Sequence, residues 1–214
     1  MILSHGRRYI FVHAPKTGGT SMALALETRA MKDDIMLGDT PKASRRRRRL
    51  KNVETRGRLW KHSTLADLDG LVSPQDLDGL FAFTLVRNPW DRLVSYYHWL
   101  RQQTLDHPAA ALAKSCDFEG FATHPMICQS FAAAPARHYL TDASGRECAS
   151  LYIRLEHFAK DAAPLWDHLG FTLELPHSNR SDRIGHYREH FSGQSRAAIA
   201  AACREDIEKF DYFF

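Results

Sequence analysis

An apolar run, a glycine-bearing turn and an amphipathic run follow one another without a break in YIFVHAPKTGGTSMALAL, residues 9 to 26. YIFVHA is short, β-favouring and bounded by Pro15, which reads as a buried strand. GTSMALALETRAM, Gly19 to Met31, is rich in helix formers, and Thr20 or Ser21 is placed to cap its start. Strand, glycine turn and helix in this order bring backbone N–H groups and the positive end of a helix to one point, where an anion is held. The nucleoside-triphosphate pattern GxxxxGK[ST] and the dinucleotide pattern GxGxxG are both absent. Lys16 stands before Gly18 and Gly19, and Thr20 and Ser21 follow them. Taken alone, the glycine pair favours a tight strand–helix turn with no ligand, and the lysine, threonine and serine around it shift the balance toward an anion.

A second strand–helix unit comes later. LFAFTLVR, residues 80 to 87, reads as a central strand, and NPWDRLVSYYHWLRQQ then opens a helix. Asn88 is its expected N-cap and Pro89 suits the first helical position. Leu93, Tyr96, Tyr97 and Leu100 form its inward stripe. CASLYIRLEHF supplies a third strand, followed by a helix ending at Gly170. RLWKHST reads as a short edge strand, residues 104 to 148 as two or three short helices, and SGQSRAAIAAACREDIEKFDYFF as one terminal helix. Alternating strands and helices imply a parallel sheet with helices on both faces.

HAPKTGGTS resembles the phosphosulfate loop of the sulfotransferases that use 3′-phosphoadenosine-5′-phosphosulfate (PAPS). The family adds a strand ending in Arg and a helix with Ser eight residues on, matched here by Arg87 and Ser95 in FTLVRNPWDRLVSYY. LYIRLEHF, REDIEKFDYFF and SNRS (178 to 181) are weaker echoes. The resemblance implies an α/β, P-loop-like three-layer fold with a mainly parallel sheet flanked by helices, formed as a single domain over 1–214. It implies PAPS as donor, no metal, and Pro15, Lys16, Thr17, Gly18, Gly19, Thr20, Ser21, Arg87 and Ser95 as cofactor contacts. Lys16 then stabilises the departing bridging oxygen, and the loop donors hold sulfonate and 5′-phosphate. The plain alternatives are an Arg87–Asp91 ion pair and a packing role for Ser95.

The family often carries its base between the first helix and the second strand. His62, in WKHST, is the candidate, since imidazole titrates near neutral pH. Glu54 is a rival, Lys61 a possible aid, and an exposed or structural histidine the plain alternative. His13, at the end of the strand, has a supporting place behind the loop. His186 and His190 are spaced i, i+4 but lack the Glu neighbour of zinc proteases.

Charge is uneven along the chain. Pro41 to Lys61 holds ten Lys or Arg and one Glu, net +9, in a chain of net +4, so the remainder sums to −5. This basic insertion, about 41–61, contains Arg45, Arg46, Arg47, Arg48 and Arg49. Its first reading is a mobile solvated loop. Its functional reading is an arm for a small-molecule or carbohydrate acceptor of anionic character, and with no stacking aromatic close to the five arginines the run is a poor nucleic-acid module. The four cysteines, spaced by 12, 20 and 55 residues, form no CxxC pair and read as free thiols. No leader pattern or membrane-length apolar run is seen, so the expected setting is cytoplasmic. The expected reaction is sulfonate transfer to an acceptor hydroxyl. The rivals are a phosphate-loop kinase of nucleotides or small molecules and a non-catalytic binder of nucleotide or anionic glycan.

Overall fold

The computed structural model describes residues 1–176 and 185–214. Strands β1 (Ile2–Ser4) and β2 (Tyr9–Val12) lead to helix α1 (Gly19–Thr28), strand β3 (Ile35–Met36) and helix α2 (Pro41–Arg46). Helix α3 (Pro74–Asp78), strand β4 (Phe81–Val86) and helix α4 (Pro89–Gln102) come next. Helices α5 (Pro108–Ser115), α6 (Phe118–Ala122), α7 (Pro125–Ala132) and α8 (Ala136–Tyr139) follow. Strand β5 (Leu151–Arg154) precedes α9 (Phe158–Asp161), α10 (Ala163–Leu169), α11 (Gly193–Ala202) and α12 (Arg204–Phe210). The chain divides into two compact units: Met1–Val86 with Ala136–Ser178, and Arg87–Pro135 with Asn179–Phe214. The SNRS segment lies outside the described residues.

The first unit holds a five-stranded sheet of order β3-β1-β2-β4-β5. The expected parallel set is β2, β4 and β5, with Phe11 beside Phe83 and Phe83 beside Leu151. An antiparallel edge of β1 and β3, which the sequence reading lacked, makes the sheet mixed. All four residues of β2 are buried, which is why that strand reads as an unbroken apolar run. Tyr9, Phe11, Phe83, Leu85 and Ile153 share a core with Met22 and Leu26 of α1 and Leu165 of α10. Each such side chain withdrawn from water stabilises the fold by roughly 1.5–3 kcal/mol. Helix α8 packs on β4. Gly170 ends α10 in the left-handed conformation at φ 74°, as its position in the sequence implies.

Three local expectations change. RLWKHST forms turns, not a strand. The buried Ser63 hydroxyl bonds to the Arg58 carbonyl at 2.8 Å and accepts the Trp60 N–H at 2.9 Å, so a side chain takes the place of a strand partner. The arginine run is helical: α2 continues into a 3₁₀ turn at Arg47–Leu50. Pro41 at the first helical position starts it. Lys42 then donates to the Glu27 carbonyl at 2.6 Å, Arg46 to the Asp34 carbonyl at 3.1 Å and Arg49 to the Lys32 carbonyl at 2.6 Å. The terminal helix is two helices, meeting at Cys203, whose φ of −108° is not helical.

In the second unit, Leu93, Tyr97 and Leu100 of α4 are buried with Ala110, Phe121, Ile127 and Ile199, and Tyr96 packs against them half-buried. Asn88 caps α4, its side chain accepting from the N–H groups of Trp90 at 3.2 Å and Asp91 at 3.4 Å. Residues 104 to 148 carry four helices rather than two or three. All four cysteines are free thiols, and burial pushes the Cys203 thiol up to about 12.

Candidate active site

The turn between β2 and α1 is built by conformations that few residues tolerate. Lys16 lies in the left-handed region at φ 65°, and Gly18 at φ 88°. A side chain on Gly18 would start 2.9 Å from Leu155 Cδ1, just after β5. One on Gly19 would start 2.0 Å from the His13 ring. Gly18 is therefore required by φ and Gly19 by close approach. Thr17 is 2% exposed and its hydroxyl donates to the Ala14 carbonyl at 2.8 Å, tying the turn. Its backbone N–H is then the group that it can offer an anion. Pro15 has no N–H and fixes the entry to the turn.

Helix α1 does not start at a Thr20 or Ser21 cap. Its N-cap is Gly18, and no side chain caps it. The carbonyl of Gly18 accepts the Met22 N–H at 3.2 Å, so the N–H groups of Gly19 and Thr20 stand in the first turn, ahead of the intrahelical ladder. Among the described residues the Thr20 hydroxyl has no hydrogen-bond partner. An uncapped ten-residue helix with a lysine in the preceding turn has the N–H groups and the charge that suit an anion.

His62 reaches the same place from the other side of the sequence. Its Nδ1 lies 2.7 Å from the His13 carbonyl oxygen. A carbonyl only accepts, so Nδ1 carries the proton and Nε2 holds the lone pair. The His13 and His62 rings meet edge-on at 4.6 Å, and Trp60 stands edge-on to His62 at 5.0 Å. Burial lowers His62 to about 4, with the His13 carbonyl opposing and the Lys61 charge reinforcing the shift. Burial likewise holds His13 well below the ordinary imidazole value. Both rings are neutral at physiological pH. Lys61 is paired with Asp39 at 2.7 Å. Glu54 is exposed.

Arg87 and Ser95 lie in the second unit. Arg87 Nε donates to Asp91 Oδ2 at 2.8 Å, with both side chains largely buried, so the ion pair foreseen as the plain alternative does form. A carboxylate four residues on holds the guanidinium in one orientation. Ser95, on α4, is 6% exposed, and its hydroxyl has no partner among the described residues.

A model of the sulfotransferase family matches residues 1–212. The chain belongs to the sulfotransferase family. No curated protein matches the sequence. Among solved structures, it is similar to mouse sulfotransferase SULT7A1 complexed with PAP, at 17% identity and a TM-score of 0.50. That match covers 98% of this chain and 87% of the mouse one, and it shows a shared fold.

As a sulfotransferase, the chain has further features that its sequence did not reveal. Arg46 and Arg49 are spent on backbone carbonyls, whereas Arg45, Arg47 and Arg48 are exposed and make no side-chain hydrogen bond among the described residues. Trp60 is 44% exposed, the one exposed tryptophan of the four. Its neighbour Arg58 places its guanidinium 5.8 Å from the ring centre. The available signal was an aromatic residue two positions from a histidine in a polar stretch. The contact between His62 and the His13 carbonyl spans 49 residues and left no local trace. No described helix is long and apolar enough to cross a membrane.

Proposed function

We propose that this sulfotransferase takes its sulfonate from PAPS and delivers it to the hydroxyl of a saccharide or another small or anionic acceptor. The observation that carries the reading is the uncapped start of α1 behind a left-handed Lys16. When bound, PAPS supplies the sulfonate and a nucleotide bisphosphate leaving group. The residues present fit such a group: Gly18 and Gly19 keep the turn tight, and the first N–H groups of α1 precede its intrahelical ladder with no side-chain cap.

Gly18, Gly19, Thr20 and Ser21 hold the 5′-phosphate and sulfonate, with Pro15 and Thr17 shaping the turn. Arg87, oriented by Asp91, and Ser95 hold the 3′-phosphate. Lys16 neutralises charge on the oxygen that departs, the term that matters most when negative charge is spread through the transition state. His62 Nε2 accepts the acceptor's hydroxyl proton while that oxygen forms its bond to sulfur. The low basicity of His62 suits a proton taken late, as the S–O bond to the departing phosphate breaks. Arg45, Arg47 and Arg48 are the members of the run left to meet an anionic acceptor. The reading takes the chain as one catalytic domain with a basic insertion over about 41–61, in a reducing, cytoplasmic setting that suits its four free thiols.

Calorimetric titration with adenosine 3′,5′-bisphosphate and with ATP tests it. Preferred binding of the bisphosphate, weakened in Arg87→Ala, supports the reading, and preference for ATP refutes it. His62→Gln should lower kcat by about 10²–10⁴-fold and leave bisphosphate affinity unchanged.

A further inference from the structure

The first unit carries a line of rings leading away from the anion cradle. His13 lies against Gly19 at the start of α1, His62 meets His13 edge-on, and Trp60 meets His62 edge-on at 5.0 Å. The line ends at solvent, because Trp60 is 44% exposed while His13 is 6% exposed. Exposing a tryptophan withholds a large apolar surface from the core, so its place beside a neutral imidazole asks for a reason. Nor is the ring loosely held. Ser63, fully buried, bonds to the backbone at both Arg58 and Trp60, which fixes the turn that presents them.

Charge beside the ring is equally selective. Lys61 is committed to Asp39 at 2.7 Å, so it does not serve a ligand at Trp60. Arg58 is exposed, stands over the Trp60 ring and makes no side-chain hydrogen bond among the described residues. A guanidinium held over an aromatic face keeps its in-plane donors for a carboxylate or sulfate. Resting on the reading of His62 as the base, we propose that Trp60 and Arg58 form the acceptor subsite. Its ligand is a hydroxyl-bearing six-membered ring with an anionic substituent. The ring stacks on Trp60, the anion pairs with Arg58, and a ring hydroxyl is presented to His62 Nε2.

Two sources share this chemistry, an aromatic hydroxy acid and a uronic-acid pyranoside. Saturation-transfer NMR on the full chain, with adenosine 3′,5′-bisphosphate present, separates them through 4-hydroxybenzoate and methyl β-glucuronide. The uncharged partners 4-hydroxybenzyl alcohol and methyl β-glucoside control for the anion. At least one acid should bind, more tightly than its neutral partner by about tenfold, as a charge-assisted pair provides. Trp60→Ala should weaken it by about tenfold and Trp60→Phe by much less, since phenylalanine keeps a stacking face. Arg58→Gln should erase the preference for the acid. Binding of neither acid, or binding indifferent to both Trp60→Ala and Arg58→Gln, overturns the subsite. Loss of bisphosphate binding is read in the same samples without acid, and counts against the sulfotransferase reading instead.

Discussion

Gly19→Ala sets two physical terms against each other at the hinge of the site. Alanine is the better helix former by about 1 kcal/mol, and in open space the change would stabilise α1. Here the new methyl would start 2.0 Å from His13 Cδ2 and 2.4 Å from Nε2. The His13 ring has little room to yield, with Phe11 stacked on it at 6.0 Å and His62 edge-on at 4.6 Å. Forcing a methyl into packed surroundings costs about 1–3 kcal/mol, and a 2.0 Å approach sets this one at the upper end, about 2–3 kcal/mol. The net loss is then about 1–2 kcal/mol, a Tm decrease of roughly 2–8 °C for a chain of this size. Urea and thermal melts measure it. The clash has a named partner, so His13→Ala should remove the cost of Gly19→Ala, with a coupling of about 2–3 kcal/mol in the double-mutant cycle. Any displacement of His13 also moves the carbonyl that fixes His62, so kcat should fall by about tenfold or more with the melt shift. A Gly19→Ala protein as stable as the parent, or additive with His13→Ala, would refute the packing account.

Further outcomes follow from the same contacts. His62 and His13 are harder to protonate folded than unfolded, so the unfolded chain binds more protons as pH falls below about 6.5. Stability should therefore be level above that pH and decline toward about pH 4, with a shallower decline in His62→Gln, as urea melts at stepped pH would record. Catalysis should keep its basic form well below neutrality, so kcat/KM should show no histidine limb between about pH 6 and 8. Asp91→Ala should weaken adenosine bisphosphate binding by about tenfold through loss of Arg87 orientation, measured by calorimetry. Arg45, Arg47 and Arg48 changed together to Ser should raise acceptor KM without shifting the melt, whereas Arg46→Gln should cost about 1 kcal/mol of stability.

What the sequence disclosed was what depends on neighbours along the chain. Asn88 and Pro89 start α4 through groups two and three residues away, and Gly170 ends α10 by its own φ. β2 and β4 were readable because burial on both faces leaves a continuous apolar run. The rest depends on partners far away. β1 is three residues long, too short for a period, and exists because β2 and β3 flank it. The arginine run folds because Glu27, Asp34 and Lys32 offer carbonyls from the segment before it. Composition announces only its repulsion. His62 could be nominated by residue type and position, but its tautomer is set by the His13 carbonyl, which only the fold brings within reach.

Lys16 has a consequence for how this chain can change. Its left-handed backbone is easiest for glycine or asparagine, and neither carries a charge. With Lys16 acting on the departing oxygen as proposed, conformational ease and function pull position 16 in opposite directions. A library screened for heat resistance alone would be drawn to uncharged residues there and would drift toward well-folded, inert proteins. Screens of this scaffold must read turnover and melting together, because under the proposed role of Lys16 the strain at that one residue belongs to the activity.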